Sequence, residues 1–454
     1  MAFRTLKCNW TEKEKMETAI KKEINHYVLR NILANVGLST YVIIDTLFIA
    51  IAAGSMGLTV LNLALPLFNI FNATGLLLGV GGATYFSLNK IKHPQRVRTL
   101  YSQLITFAFI LGIIEIILII TFLDPVLHLL GANSQTLALG RTYVGFMCFS
   151  APLYMCNYIT INFVRNDGNP SLTMMATLTE TVFVIIIDWF FIFKLGLHME
   201  GAALAVIFSP LCSLLVLSQH LRFKKRQLEW HWCLPKWHTL TTAARLGIAP
   251  FLNEMSSGVS VYVFNWMLLY LAGNYAVAAY GVVANIAIIT LAAANGVALG
   301  VQPIASREFG KHAMKNAVTA FKHGLRITIG LALVLMIGLI IFKRPVIDLF
   351  NTERQPQLLS YALVGMPIYF TSTIFTAINI LIIIFLTAIN QGSTSFQLSL
   401  LRGYVILIPL IVILALTIGV NGVFAAMPIN EIIVMILGGI IMRSKLREMQ
   451  GRSL

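Results

Sequence analysis

The sequence predicts an all-α polytopic membrane protein with twelve transmembrane helices in two six-helix lobes, and three observations lead there. Hydrophobic residues make up 57% of the chain and charged residues only 11%, against roughly 25% charged in a soluble domain. The mean hydropathy is +0.81. The apolar residues also fall in runs long enough for the ~20-residue helix that a bilayer core requires, and 454 residues hold about a dozen such runs with short connections.

Residues 1–31 read as a cytoplasmic amphipathic lead-in. Lys13, Lys15, Lys21 and Lys22 alternate there with Glu12, Glu14, Glu17 and Glu23, as in a helix lying on a membrane surface or standing in solvent. No cleavable secretory signal precedes the first span. Apolar runs follow at 32–53, 58–88, 102–123, 137–163, 172–194, 201–221, 246–271, 276–306, 325–342, 358–388, 396–418 and 422–442. Several are longer than one crossing needs and should tilt or bend, with Pro66, Gly75, Pro152, Pro250 and Gly296 as the expected bends. Residues 443–454 form a short tail.

Orientation follows from the basic residues. With the N-terminus inside, 28 of the 33 Lys and Arg fall on the cytoplasmic side and five on the other. Both termini are then cytoplasmic. The +15 net charge is thereby explained by topology, and nucleic acid is not expected as a partner. Five cysteines without a CxxC pair argue against a disulfide scaffold or zinc site. His128, His198, His220 and His231 lie at span ends and read as interfacial.

Residues 222–245, the longest polar interval, carry Lys224-Lys-Arg226 and Trp230-His-Trp232 and read as a linker between lobes at 32–221 and 246–442. The halves repeat at one constant shift. Leu78-Gly-Val80 falls on Leu299-Gly-Val301, Tyr41-Val42 on Tyr262-Val263, and Gly75 on Gly296. Six spans per half make the repeats parallel, an arrangement of secondary transporters in which substrate lies between the halves.

The chemistry is carried by acids. Of eighteen Asp and Glu, six lie deep in apolar runs: Asp45, Glu115, Glu180, Asp188, Glu254 and Glu431. A carboxylate near the middle of a span costs roughly 2.5–3.5 kcal/mol on insertion scales. No Lys or Arg is expected well inside a span, so each acid must be protonated, hydrated or paired with a transient cation. Asp45 lies about 20 Å up the first helix and Asp188 about 24 Å up the fifth, which runs the same way, so the two could share one site. Glu180 lies about 12 Å below Asp188 and some 80° round the helix, placed to relay a proton or cation. Glu254, beside Asn253, Ser256 and Ser257, either lines an inner vestibule or is structural. Glu431, beside Asn430, is equally open, and Asn265 and Trp266 occupy the place where the repeat would put a counterpart of Asp45, so the second half has no equivalent acid. Glu115 reads as a local hydrogen-bonding residue. Catalytic constellations are missing: there is no Ser-His-Asp set, no His-rich cluster, and Gly79-Val-Gly-Gly82 lacks the Lys and βαβ context of a phosphate loop. Packing through small residues suits those glycines better.

Asp45-Thr-Leu-Phe-Ile49, Pro66 with Gly75, Gly79 and Gly81, Ile187-Asp188 followed by Gly201-Ala-Ala203, Ala279-Tyr-Gly281, Gln302-Pro303, Leu401-Arg402 and Gly422-Val-Phe with Pro428 together resemble the multidrug and toxic compound extrusion (MATE) family over essentially the whole chain. Arg165-Asn-Asp-Gly-Asn-Pro170 is similar to its MepA-like subgroup. The resemblance implies twelve helices around a central cavity and a monomeric antiporter, not an enzyme, in the bacterial inner membrane. It would expel amphipathic, cationic drugs and dyes in exchange for H+ or Na+, with no further cofactor. It also implies that Asp45 and Asp188 are the coupling acids and that Na+ could sit between them. Val184 and Val206 stand where some relatives carry cation-site Asn and Thr, which favours protons. The rival reading is a lipid-linked precursor flippase of a related two-lobe fold. Such proteins usually present basic residues to anionic cargo and often add spans, and this sequence shows neither.

Overall fold

A chain this apolar must satisfy its backbone hydrogen bonds internally, and the helix does so within one segment. The computed structural model describes residues 2–89, 97–223, 226–229, 233–311 and 313–451 and contains no strand among them. The sixteen α-helices among these residues are α1 (Ala2–Asn89), α2 (Leu100–Thr121), α3 (Leu123–Leu130), α4 (Leu137–Met147), α5 (Ala151–Asn166), α6 (Pro170–Trp189), α7 (His198–Leu217), α8 (Trp237–Ala272), α9 (Asn274–Gly310), α10 (Met314–Ile341), α11 (Lys343–Phe350), α12 (Pro356–Phe370), α13 (Thr373–Ala388), α14 (Gly392–Leu400), α15 (Leu407–Ile418) and α16 (Val420–Gly451). Lys224, Lys225, Trp230, His231 and Trp232 of the expected linker lie outside the described residues.

Among the described residues, ten helical stretches are long and apolar enough to cross a membrane, and the pair α12–α13, bent by 43°, makes an eleventh. One of the ten, Val42–Ser87, has 46 residues, about twice what one crossing needs. Gly54 breaks it with φ 60° and ψ −151°, at the gap between the first two apolar runs, and counting two crossings there gives the twelve expected. Gly54 is required on two grounds. Its φ lies in the left-handed region, and a Cβ would fall on the Glu353 carboxylate. That carboxylate accepts from the Ser55 N–H at 3.1 Å and the Ser55 hydroxyl at 2.8 Å, where a helix N-terminus favours negative charge.

The backbone carries the internal repeat as plainly as the sequence does. Gly54, Gly168 and Gly196 have positive φ, and Gly273, Asn390 and Gly419 repeat them in order at a nearly constant offset. The eight-residue helices α3 and α11 occupy matching places, beginning at Leu123 and Lys343. The break between α4 and α5, a 3-10 turn at Cys148–Ser150, matches the break between α12 and α13.

The chain packs as two compact units, residues 41–281 with 348–361, and residues 1–40 with 282–347 and 362–454. Residues 246–281, assigned to the second half by sequence, therefore pack with the first unit. The reason is a close helix crossing: a Cβ on Gly81 would fall on the Ala243 carbonyl, and one on Gly247 on the Leu77 carbonyl. Gly79 lies equally close to the backbone of Tyr158 and Ile159, so the Gly79–Gly82 stretch is a packing surface. The expected linker is also docked on this unit. Asp167 accepts from His220 Nε2 at 2.8 Å, from the Gln227 N–H at 2.9 Å and from the Leu228 N–H at 3.2 Å. His220 is thus buried rather than interfacial. The 165–170 motif has a structural use as well, because the Asn169 side chain caps α6 through the Leu172 N–H at 3.3 Å and Pro170 opens that helix.

In the other unit the lead-in is continuous with the first span, and near its end Ile20, Ile24 and Val28, one helical face, are buried in a core with Val297, Val301, Ala317 and Phe321. Gly296 and Gly300 of α9 admit the backbone of Ile32 and Val28, which a Cβ on either glycine would meet at 2.6 and 2.7 Å. Small residues four apart allow this approach. Arg307 forks onto Glu23 at 2.7 and 2.8 Å, and this pairing holds the Glu23 carboxyl below its usual range. Pro66, Gly75, Pro250 and Gly296 lie within helical stretches.

Overpacking a close crossing costs about 1–3 kcal/mol. Gly300→Leu should therefore lower the melting temperature of the purified protein by several degrees, whereas Gly330→Leu, where a Cβ meets open space, should leave it within a degree.

Candidate functional site: carboxylates inside the spans

Asp45 lies on α1 beside Thr46 and one turn before Ile49, both buried. Asp188 lies on α6 just before a π-helical turn at Phe190–Lys194. The two carboxyl groups lie within close electrostatic reach of each other. Asp188 is 1% exposed, and neither of its oxygens has a hydrogen-bond partner among the described residues. Tyr143, buried on α4, is within electrostatic reach of both acids. Phe48 and Phe193 meet edge to face, with centroids 5.2 Å apart, and pack the first span on the π turn. Val184, one turn before Asp188, is buried and apolar. The two acids that the sequence sets at similar depth on parallel helices therefore come together in one place.

Glu180 is held separately, accepting from Asn157 Nδ2 and Ser209 Oγ, both at 3.1 Å. No hydrogen bond among the described residues joins it to Asp45 or Asp188. The Glu254 carboxyl on α8 lies within reach of the Asn72 side chain. Asn265, also on α8, donates to the Asn62 carbonyl at 2.8 Å. Glu115 has one buried carboxyl oxygen without a donor among the described residues, which leaves its expected local hydrogen bonding incomplete.

Glu431 corrects an expectation. It is fully buried, but Arg402 Nε donates to it at 2.8 Å and Asn379 Nδ2 at 2.6 Å. By hydropathy Arg402 falls at the cytoplasmic end of its span, which leaves the acid without a fixed counter-charge. Arg402 instead lies in a π-helical turn, Leu401–Val405, inside the apolar stretch Gly392–Ile418. Such turns often mark functional positions in a helix. A signal was present: Arg402 stands ten residues into that stretch. Sequence reasoning also passed over Asn62, Asn72 and Asn379, all more than nine-tenths buried.

Among the described residues no group of three or more His, Cys, Asp or Glu could hold a metal ion, and Cys148, Cys156, Cys212 and Cys233 are free thiols. Removing one partner of a buried ion pair leaves an uncompensated charge, at about 3–5 kcal/mol. Arg402→Met should therefore depress the melting temperature strongly, and the double variant Arg402→Met with Glu431→Leu should recover most of the loss.

Comparison with known proteins agrees with this fold. The MatE family model matches residues 31–190 and again residues 252–413, two copies set apart by the same shift as the repeated motifs. The chain is 27% identical over 430 residues to the multidrug export protein MepA of Staphylococcus aureus strain MRSA252, covering 91% of this chain and 92% of that one. It is 28% identical to the MepA of Staphylococcus saprophyticus, covering 92% of each. Among solved structures it is similar to a multidrug resistance MATE family transporter of the MOP superfamily in an inward-facing conformation, with TM-score 0.84 at 19% identity over 92% of this chain and 96% of that one. The outward-facing structure of such a transporter gives TM-score 0.72 at 19% identity, covering 95% and 97%. The chain belongs to the MatE family of membrane transporters.

Proposed function

We propose that this protein is a multidrug efflux antiporter that expels amphipathic, cationic compounds in exchange for protons, with Asp45 and Asp188 as the coupling pair and both termini on the cytoplasmic side of a bacterial inner membrane. The observation that carries the reading is the closeness of these two carboxyl groups. Two like charges held close together within a low-dielectric site cannot both persist, so a proton or a cation must accompany them. The lack of donors to Asp188 among the described residues supports a site completed by something exchangeable. The buried side chain of Val184 beside it supplies no oxygen for a Na+ shell, which favours protons over the Na+ alternative.

Glu180 serves in this reading as a relay on the same helix, and the donors from Asn157 and Ser209 hold its carboxyl in place. Glu431, neutralised by Arg402, takes no part in exchange. Binding of the coupling proton lowers the charge of the pair and shifts the balance between the protein's conformations, since a ligand moves such an equilibrium only through its differential affinity for the two states.

Asp45→Asn keeps the shape and removes the charge. Cells carrying it should show drug susceptibility equal to an empty-vector control while membrane levels of the protein stay normal; wild-type resistance in that strain would refute the assignment. Glu180→Gln should flatten the pH dependence of dye efflux, and an unchanged profile would remove its relay role.

A further inference from the structure

The Arg165–Pro170 motif and the segment after α7 meet around one buried carboxylate in the first unit. Asp167 accepts from His220 Nε2 and from the N–H groups of Gln227 and Leu228. The chain between those groups is itself closed. The Phe223 N–H bonds the His220 carbonyl at 2.9 Å, the Arg226 N–H bonds the Phe223 carbonyl at 3.2 Å, and the Phe223 ring stacks on His220. Three arginines stand on this frame. Arg165 comes two residues before Asp167, Arg222 two after His220, and Arg226 directly before Gln227. All three are exposed, and none pairs with a carboxylate among the described residues. Arg226 donates to the neutral Leu221 carbonyl, which leaves its charge unbalanced.

Three unbalanced guanidinium groups on a fixed backbone suit an anion with several oxygens, and their forked donors match a phosphate. The position of the frame says where that phosphate comes from. The apolar stretch Leu137–Asn166 ends here, Pro170–Lys194 begins here and His198–Arg222 ends here. The arginines therefore stand where hydrocarbon gives way to water, the level at which basic groups meet lipid headgroups. From this end α6 exposes an apolar stripe at helical spacing, Met174, Met175, Leu178, Val182 and Ile186, each roughly half exposed. A groove of about 400 Å³ lies along it, lined by Leu178, Thr179, Val182, Phe183 and Ile186. It runs from about 10 to 22 Å along the helix from Ser171, and half a bilayer with its headgroups measures about 20–22 Å. An acyl chain descending from a headgroup at the arginines reaches it.

We infer that this corner of the first unit binds one anionic phospholipid, with its headgroup held by Arg165, Arg222 and Arg226 and an acyl chain lying in the α6 groove. The two acids nearest in sequence are engaged, Asp167 by the linker and Glu229 by Arg98 at 2.7 Å. Neither is left for the ammonium group of a zwitterionic lipid, so the site selects a headgroup with net negative charge.

The test is native mass spectrometry of the purified full-length protein in nonionic detergent. It is titrated with dipalmitoyl phosphatidylglycerol, dioctanoyl phosphatidylglycerol or dipalmitoyl phosphatidylcholine. The wild type should retain one long-chain phosphatidylglycerol at a concentration about tenfold below that needed for phosphatidylcholine. Arg222→Gln should weaken phosphatidylglycerol about fivefold and the triple variant R165Q/R222Q/R226Q about a hundredfold, the effect of about one surface basic group per step. Phosphatidylcholine should stay within twofold in both. Arg245→Gln, which removes an exposed charge on α8 instead, should change neither lipid. Val182→Trp fills the groove and should weaken the dipalmitoyl lipid about fivefold, while the dioctanoyl lipid, too short to reach Val182, stays within twofold. Should the triple variant fail to fold, Arg165→Gln and Arg226→Gln decide singly, each with the fivefold loss. Equal retention of both headgroups by the wild type, unchanged affinity in the arginine variants, an equal loss in Arg245→Gln, or displacement of the lipid by millimolar inorganic phosphate overturns the inference. A Val182→Trp protein that weakens both chain lengths equally, or neither, overturns the placement of the chain. Binding is read without transport, so these outcomes are separate from the export reading.

Discussion

Two carboxyl groups held close together inside a membrane protein constrain everything built around them. Asp45 and Asp188 come from helices far apart in sequence, and their closeness calls for a proton or cation that balances the charge. The first unit brings them together by packing α1 on α6 through the Phe48–Phe193 contact and by ending α6 in a π turn directly after Asp188. Around Asp188 the described residues supply no hydrogen-bond partner. A site of this kind is incomplete by construction, which suits a group that must be filled and emptied in turn.

The two copies of the repeat solve the problem of a buried acid differently. In the first, two acids face one another, and on the proposed mechanism the balancing charge is exchangeable. In the second, Glu431 is balanced by Arg402, a cation that cannot leave because it belongs to the chain, and Asn379 adds a further hydrogen bond. Buried pairs of this kind are weak evidence for stability but strongly resist the loss of one partner. The backbone repeats closely, down to its positive-φ positions, while the charge chemistry does not. On the proposed mechanism, coupling is therefore asymmetric between copies of one architecture.

Much of this was legible in the sequence, because the governing physics is local. Span positions follow from hydrophobic length, and the repeat from identical short motifs at a fixed shift. The meeting of Asp45 with Asp188 follows from similar depth on helices that run the same way. What was not legible depended on side-chain reach and backbone exceptions. Arg402 read as the cytoplasmic end of its span because a π turn in mid-helix leaves no mark in the hydropathy. Ile20, Ile24 and Val28 looked like a surface stripe because Gly296 and Gly300, the first of them read as a bend, are the partner surface that buries them. The asparagines of the second span carry no motif, and only the fold shows that Asn62 and Asn72 are buried with an oxygen lacking a donor among the described residues.

The most direct test of the coupling mechanism is the proton balance of substrate binding. Purified protein in weakly buffered solution, mixed with a transported cation at a pH where the pair holds a proton, should release close to one proton per substrate bound, and the Asp45→Asn protein should release none. Binding of substrate to the wild type without proton release, or with release unchanged in the variant, would contradict the assignment of Asp45 and Asp188 as the coupling pair.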